Sequence, residues 1–91
     1  MRCKLGGKWW QFRYANMVDY GDCTDPGKAD GRLIRVRASQ SERDMLDTIV
    51  HEALHACRAE LAEEAVADTA SDIARLLWRL GYRRVVDDKC S

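Results

Sequence analysis

The chain predicts an α+β fold: a small antiparallel sheet of two to three strands packed on a hairpin of two α-helices. Three observations carry that prediction. Apolar residues alternate with period two in the segments 8–14 and 33–37, they recur at helical spacing across 39–80, and 91 residues suffice for one domain spanning 1–91.

The elements follow in order. In Lys8 to Tyr14, Trp10, Phe12 and Tyr14 fall on one side and Trp9, Gln11 and Arg13 on the other, the pattern of a half-buried strand and the expected first strand of the sheet. Asn16 to Tyr20 reads equally as a short strand or a helical turn. Gly21 to Gly31 gathers glycines, aspartates and the only proline, and so reads as a loop. Asp25 and Asp30 in it do not match a calcium-binding loop. Leu33 to Arg37 is a short strand expected to pair with the first, with Ile34 and Val36 facing away from Leu33, Arg35 and Arg37.

Ser39 and Glu42 form an S-x-x-E capping box that announces a helix ending near Cys57 or Arg58. Met45, Leu46, Ile49, Val50, Ala53, Leu54 and Cys57 would make its apolar face, with Cys57 in the core. A second helix is expected over about Ala62 to Leu80, closed by Gly81. Val85 and Val86 suggest a short strand or docked extension after it.

Composition narrows the function. Fifteen basic and fifteen acidic side chains cancel, so no charge pattern argues for nucleic acid, and the arginines at Arg32, Arg35, Arg37, Arg83 and Arg84 read as solvated faces. No stretch reaches the roughly 20 apolar residues of a membrane span. With no signal-peptide pattern at the start, a cytoplasmic location is expected. The four cysteines show no CxxC spacing; a Cys3–Cys90 bridge would be sterically easy, but a reducing compartment keeps thiols.

Both histidines of the chain lie in His51-Glu52-Ala53-Leu54-His55. On a helix, residues four apart sit on one face, so the two imidazoles can converge on one metal ion while Glu52 stands one position round. This is the HExxH zinc signature, with the glutamate as general base. A catalytic zinc takes three protein ligands and keeps one position open. Glu64 and Asp68 share a face of the second helix, so Glu64 could bind the metal and Asp68 hydrogen-bond a liganding histidine, with Glu63 and Glu60 as rival ligands. The condition is a turn after Arg58, because on one straight helix Glu64 would lie about 13 Å beyond His55. Arg58 to Leu61 contains no glycine or proline to mark that turn, but a single helix through both segments would have almost nothing to pack against.

From Leu33 to Leu80 the chain resembles the zincin metallopeptidases, in particular the glutamate-zincin branch typified by thermolysin. It is similar to minimal single-domain zincins and, more distantly, to SprT-like domains. His51, Glu52 and His55 match the first half of the family pattern, Glu64 with Asp68 the second, and Leu33 to Arg37 occupies the place of the edge strand. The resemblance implies a zinc-dependent peptidase acting on peptide or protein substrates. Leu33, Ile34, Arg35, Val36 and Arg37 would then pair with an extended substrate. The interval from His55 to Glu64 is shorter than in thermolysin, and no further histidine is present to stabilise an oxyanion. Tyr20, Tyr82 and Arg83 are the available substitutes. The alternative function is a zinc-stabilised binding or regulatory domain without activity, in one version inhibited by the tail Val85 to Ser91 through Asp87, Asp88 or Cys90. A third is a metal-free helical hairpin whose tryptophans, Trp9, Trp10 and Trp78, form an interface. The oligomeric state is open.

Overall fold

A computed structural model describes residues 1–28 and 30–85. The chain runs β1 (Arg2–Leu5), β2 (Lys8–Ala15), β3 (Gly21–Thr24), β4 (Leu33–Arg37), α1 (Glu42–Cys57) and α2 (Glu63–Arg79). The class is α+β as expected, but the sheet has four strands in the order β1-β2-β4-β3 and is mixed. β2 and β4 are parallel, whereas β1 with β2 and β3 with β4 are antiparallel.

Two segments depart from the expectation, one for a local reason and one through pairing with a distant strand. β1 joins β2 through Gly6-Gly7, whose φ values of 60° and 77° suit the tight turn that matches strand twist. β3 lies within the glycine- and aspartate-bearing stretch read as a loop. It forms a strand because it completes the second edge of β4, with Cys23 opposite Ile34 and Asp22 bonded by the Arg35 guanidinium across the pair. β4 is therefore an interior strand, not the edge expected of Leu33 to Arg37, and the edge beside the helices belongs to β3. Residues 16–20 form neither strand nor helix.

Period two decides the core. Ile34 and Val36 are 1 % and 0 % exposed and meet Trp10 and Met45, with Leu5, Phe12 and Ile49 around them. The Trp10 indole N–H donates to Leu5 O at 3.2 Å, satisfying the one polar atom of that ring.

α1 is capped by Ser41, whose Oγ accepts from Asp44 N at 3.1 Å, two residues later than the predicted Ser39 cap. Ser39 belongs instead to the turn leaving β4, where Arg37 Nε donates to Ser39 O at 2.8 Å and Gln40 Nε2 to Arg37 O at 2.7 Å. The helix ends at Cys57, which is exposed rather than in the core. The Gly6 turn approaches here, and a Cβ on Gly6 would meet Cys57 Cα at 3.2 Å.

The turn after Arg58 forms. Leu61 N donates to Arg58 O at 3.1 Å, and Ala62 is extended before α2 starts. No capping side chain marks the break; packing enforces it, since Val66, Ala70 and Ala74 can be buried only if α2 folds back on α1. Asp47 meets Ser71 and His55 meets Glu63, so the two helices run antiparallel. α1 lies between the sheet and α2, whose backbone comes close to no described strand. At the far end, Gly81 at φ 93° lets Tyr82 N reach Leu77 O and Gly81 N reach Trp78 O, the double bond of a Schellman cap. No described helix is long and apolar enough to cross a membrane. Val85 is 89 % exposed, and Val86, Asp87, Asp88 and Cys90, invoked for a docked or inhibitory tail, lie outside the described residues.

Candidate metal centre

The α1 register brings His51 and His55 to the flank of the helix that faces the start of α2. Their Nε2 atoms are 3.2 Å apart. Glu63 closes the group, with one carboxylate oxygen 2.8 Å from His51 Nε2 and the other 2.8 Å from His55 Nε2. One donor atom from each of the three residues can be chosen so that all lie within 4.8 Å of one another.

The donor set fits zinc. Zinc–nitrogen bonds of about 2.0–2.1 Å in tetrahedral geometry separate two ligand nitrogens by about 3.3 Å, close to the spacing of this pair. Imidazole nitrogens and a carboxylate oxygen are also borderline-to-hard donors of the kind zinc accepts. Among the described residues neither imidazole Nδ1 has a hydrogen-bond partner, so the outer support common behind zinc histidines is absent there.

The carboxylate facing the imidazoles is Glu63, where Glu64 was expected. Glu63 lies three residues before Val66 and so shares the face that α2 turns toward α1, whereas Glu64 points to solvent. Asp68 is exposed as well and makes no hydrogen bond or ion pair among the described residues, so it does not back a histidine. Glu60, the other rival, is exposed and held by Arg58 Nε at 2.6 Å, which keeps its carboxyl below the usual range.

Glu52 occupies an unusual place for an acid. It is 7 % exposed, on the sheet side of α1, and no described residue hydrogen-bonds it. Burial pushes its pKa up; the two imidazoles pull it back down, and the charges of Asp22 and Glu63 add to the rise. The space comes from Gly21 on β3: a Cβ there would meet Thr48 Cγ2 at 2.7 Å, Arg35 O at 2.9 Å and Glu52 Cγ at 3.2 Å. Read from sequence as loop punctuation, Gly21 is the residue that lets α1 approach the edge strand.

A cleft of about 430 Å³ opens in front of His51 and Glu52, lined also by Tyr20, Gly21, Asp47 and Glu63. A second, of about 420 Å³, lies on the His55 side, and Glu52 borders both. Cys23 lines this second cleft, and its thiol is pushed up to about 11 by burial first and then by the charges of Glu52, Asp25 and Asp22.

Of the three proposed oxyanion partners, only Tyr20 borders the imidazole cleft, its ring under the Arg37 guanidinium at 5.4 Å. Tyr82 and Arg83 line a separate cavity of about 300 Å³ with Met45, Leu46 and Trp78. Arg83 sits 3.3 Å above the Trp78 ring and donates to Trp78 O and Tyr82 O. Antiparallel helices account for this, because the end of α2 lies beside the start of α1, away from His55. Asp47 and Thr48, one turn before the histidines, were missed by sequence reasoning. Asp47 accepts from Ser71 Oγ at 3.2 Å, and Thr48 donates to Gln40 Oε1 at 3.1 Å. Their spacing of three to four residues before His51 was the available signal.

No family model matches this chain, and no curated protein or solved structure is significantly similar to it.

Proposed function

We propose that the chain is a minimal zinc-dependent metallopeptidase of the HExxH zincin type, hydrolysing peptide bonds in extended peptide or protein segments. One observation carries the proposal: two imidazoles and the Glu63 carboxylate converge beside a buried acid, Glu52, that no described residue hydrogen-bonds. His51, His55 and Glu63 would hold the ion. Zinc in such a site lowers the pKa of a bound water toward about 7 and polarises a carbonyl.

The chain's own groups do the rest. Glu52 takes the proton of the attacking water and passes it to the leaving nitrogen, a role suited to a carboxylate whose pKa burial has raised. The substrate backbone pairs with the free edge of β3, Gly21–Thr24, in place of Leu33 to Arg37, because both edges of β4 are already bonded. Tyr20 is the hydroxyl nearest to serve a developing oxyanion. A reducing compartment such as the cytoplasm suits Cys3, Cys23 and Cys57, which are unpaired among the described residues, while the Cys3–Cys90 pairing falls outside them.

Metal analysis of protein purified without a histidine tag, followed by hydrolysis of an unfolded protein substrate, tests the proposal. Wild type is expected to retain zinc and cleave, and Glu52→Gln to retain zinc while losing about 10²–10⁴ in rate. Undiminished hydrolysis in that variant overturns the assignment. The small core, seven buried hydrophobic residues among those described, favours a second reading, a zinc-stabilised binding domain. In it, chelation lowers the melting temperature and neither protein cleaves.

A further inference from the structure

α2 buries one face and leaves another uncovered. Val66, Ala70 and Ala74 face α1, while Ile73, Leu76 and Leu80 remain 38 %, 59 % and 65 % exposed. Their spacing of three and then four residues aligns them in one stripe, the pattern along which two helices pack. A shallow groove of about 390 Å³ runs past Leu76 and Leu80, walled by Asp72, Arg75 and Arg79.

Charge beside that stripe is divided along the helix. Glu64, Asp68 and Asp72 come first along it and Arg75 and Arg79 after them, and all five are exposed. At 100° per residue they lie on one side of the stripe, whereas the other side turns through Leu77 into the face packed on α1. Asp72 and Arg75 pair at 3.2 Å, but both are largely solvated, so little opposes an exchange of partners.

We infer that this face binds a second copy of the chain, the two α2 helices antiparallel about a two-fold axis near Leu76. That axis sets Asp72 of each copy against Arg79 of the other and keeps both charged rims on the same side of the seam. A parallel two-fold would instead put the rims on opposite sides, where neither meets its complement. The Leu76 and Leu80 side chains of one copy enter the groove of the other, removing the most exposed apolar groups of α2 from water. The candidate metal centre, at the start of α2 and ten residues before Ile73, stays open.

Sedimentation equilibrium of the full chain between about 10 and 500 µM, where small interfaces associate, tests the pairing. The expected mass approaches twice the 10.4 kDa of one chain. Leu76→Lys should raise the dissociation constant at least about tenfold. Asp72→Arg and Arg79→Asp should each weaken the dimer, and the two together should restore it. These are exposed helix positions, so the circular dichroism spectrum and zinc content should hold in every variant. A wild type that sediments as a monomer throughout the range, as it would if the stripe served a different protein, overturns the inference. So does a dimer indifferent to Leu76→Lys, or a charge-reversed pair that fails to recover.

Discussion

α1 carries two unlike flanks. On one, His51, Glu52, Asp47 and Thr48 border an open cleft of about 430 Å³; on the other, Met45, Leu46 and Ile49 border a cavity of about 300 Å³ shared with Leu77 and Trp78. The apolar flank contributes to stability through contact and exclusion of water. On the polar flank Glu52 has no described hydrogen-bond partner, and burial disfavours its charged form. The two flanks meet on the sheet side of α1, where Met45 and Glu52 lie seven residues apart and so share one face of the helix.

The contrast breaks most visibly at Met45 and Glu52, both 7 % exposed. Met45→Ala should cost about 2–5 kcal/mol by leaving a cavity in the core. Glu52→Gln should leave the denaturant midpoint unchanged or raised, because it removes a charge that burial disfavours. Equal losses in urea titrations of the two variants would mean that the polar flank is structural after all.

A somewhat smaller effect separates the acids of α2. Glu63→Ala should weaken zinc binding by at least about 100-fold, more than the loss of an outer hydrogen-bond partner usually costs. Glu64→Ala should leave it within about threefold, and competition with a chelating dye reads both. Next comes Gly21→Ala, expected to destabilise by about 1–3 kcal/mol because the methyl meets Arg35 O, which is backbone. The same variant should push Glu52 out of register and lower hydrolysis at unchanged zinc content.

The smallest effect is a pH dependence. Cys23 titrates near 11 when folded, against about 9.0 for the free group. The folded chain therefore holds the neutral thiol, a contribution fully present below pH about 9 and lost as pH rises toward about 11. Alkylation followed by mass spectrometry should modify the exposed Cys57 first and Cys23 appreciably only above pH about 9. Rapid Cys23 labelling at pH 8 would show that burial does not restrain it.

The legible parts of the fold were those with a strong period. β2, β4, the end of α1 and both limits of α2 follow from alternation, helical spacing and Gly81, within one or two residues. β1 was missed although Gly6-Gly7 between Leu5 and Lys8 is a two-residue hairpin signal. β3 was missed because Gly-Asp-Cys-Thr has little strand propensity, and its place depends on an unfilled edge of β4. The choice between Glu63 and Glu64 was ambiguous for another reason: α2 has apolar residues on two faces, Val66, Ala70 and Ala74 inward and Ile73, Leu76 and Leu80 outward. Only packing shows which one meets α1.

Local chemistry, written residue by residue, already contained the imidazole pair with its neighbouring glutamate, the two helices and the alternation of Ile34 and Val36, since each depends on spacing along a few turns or one strand. Folding in three dimensions chose which carboxylate faces the imidazoles, made β3 the open edge, placed Tyr20 at the cleft and left Tyr82 and Arg83 at the other end of the hairpin. Those outcomes turn on how one helix rotates against another and on which strand edge remains unbonded, and such contacts between distant segments leave no period in the chain that makes them.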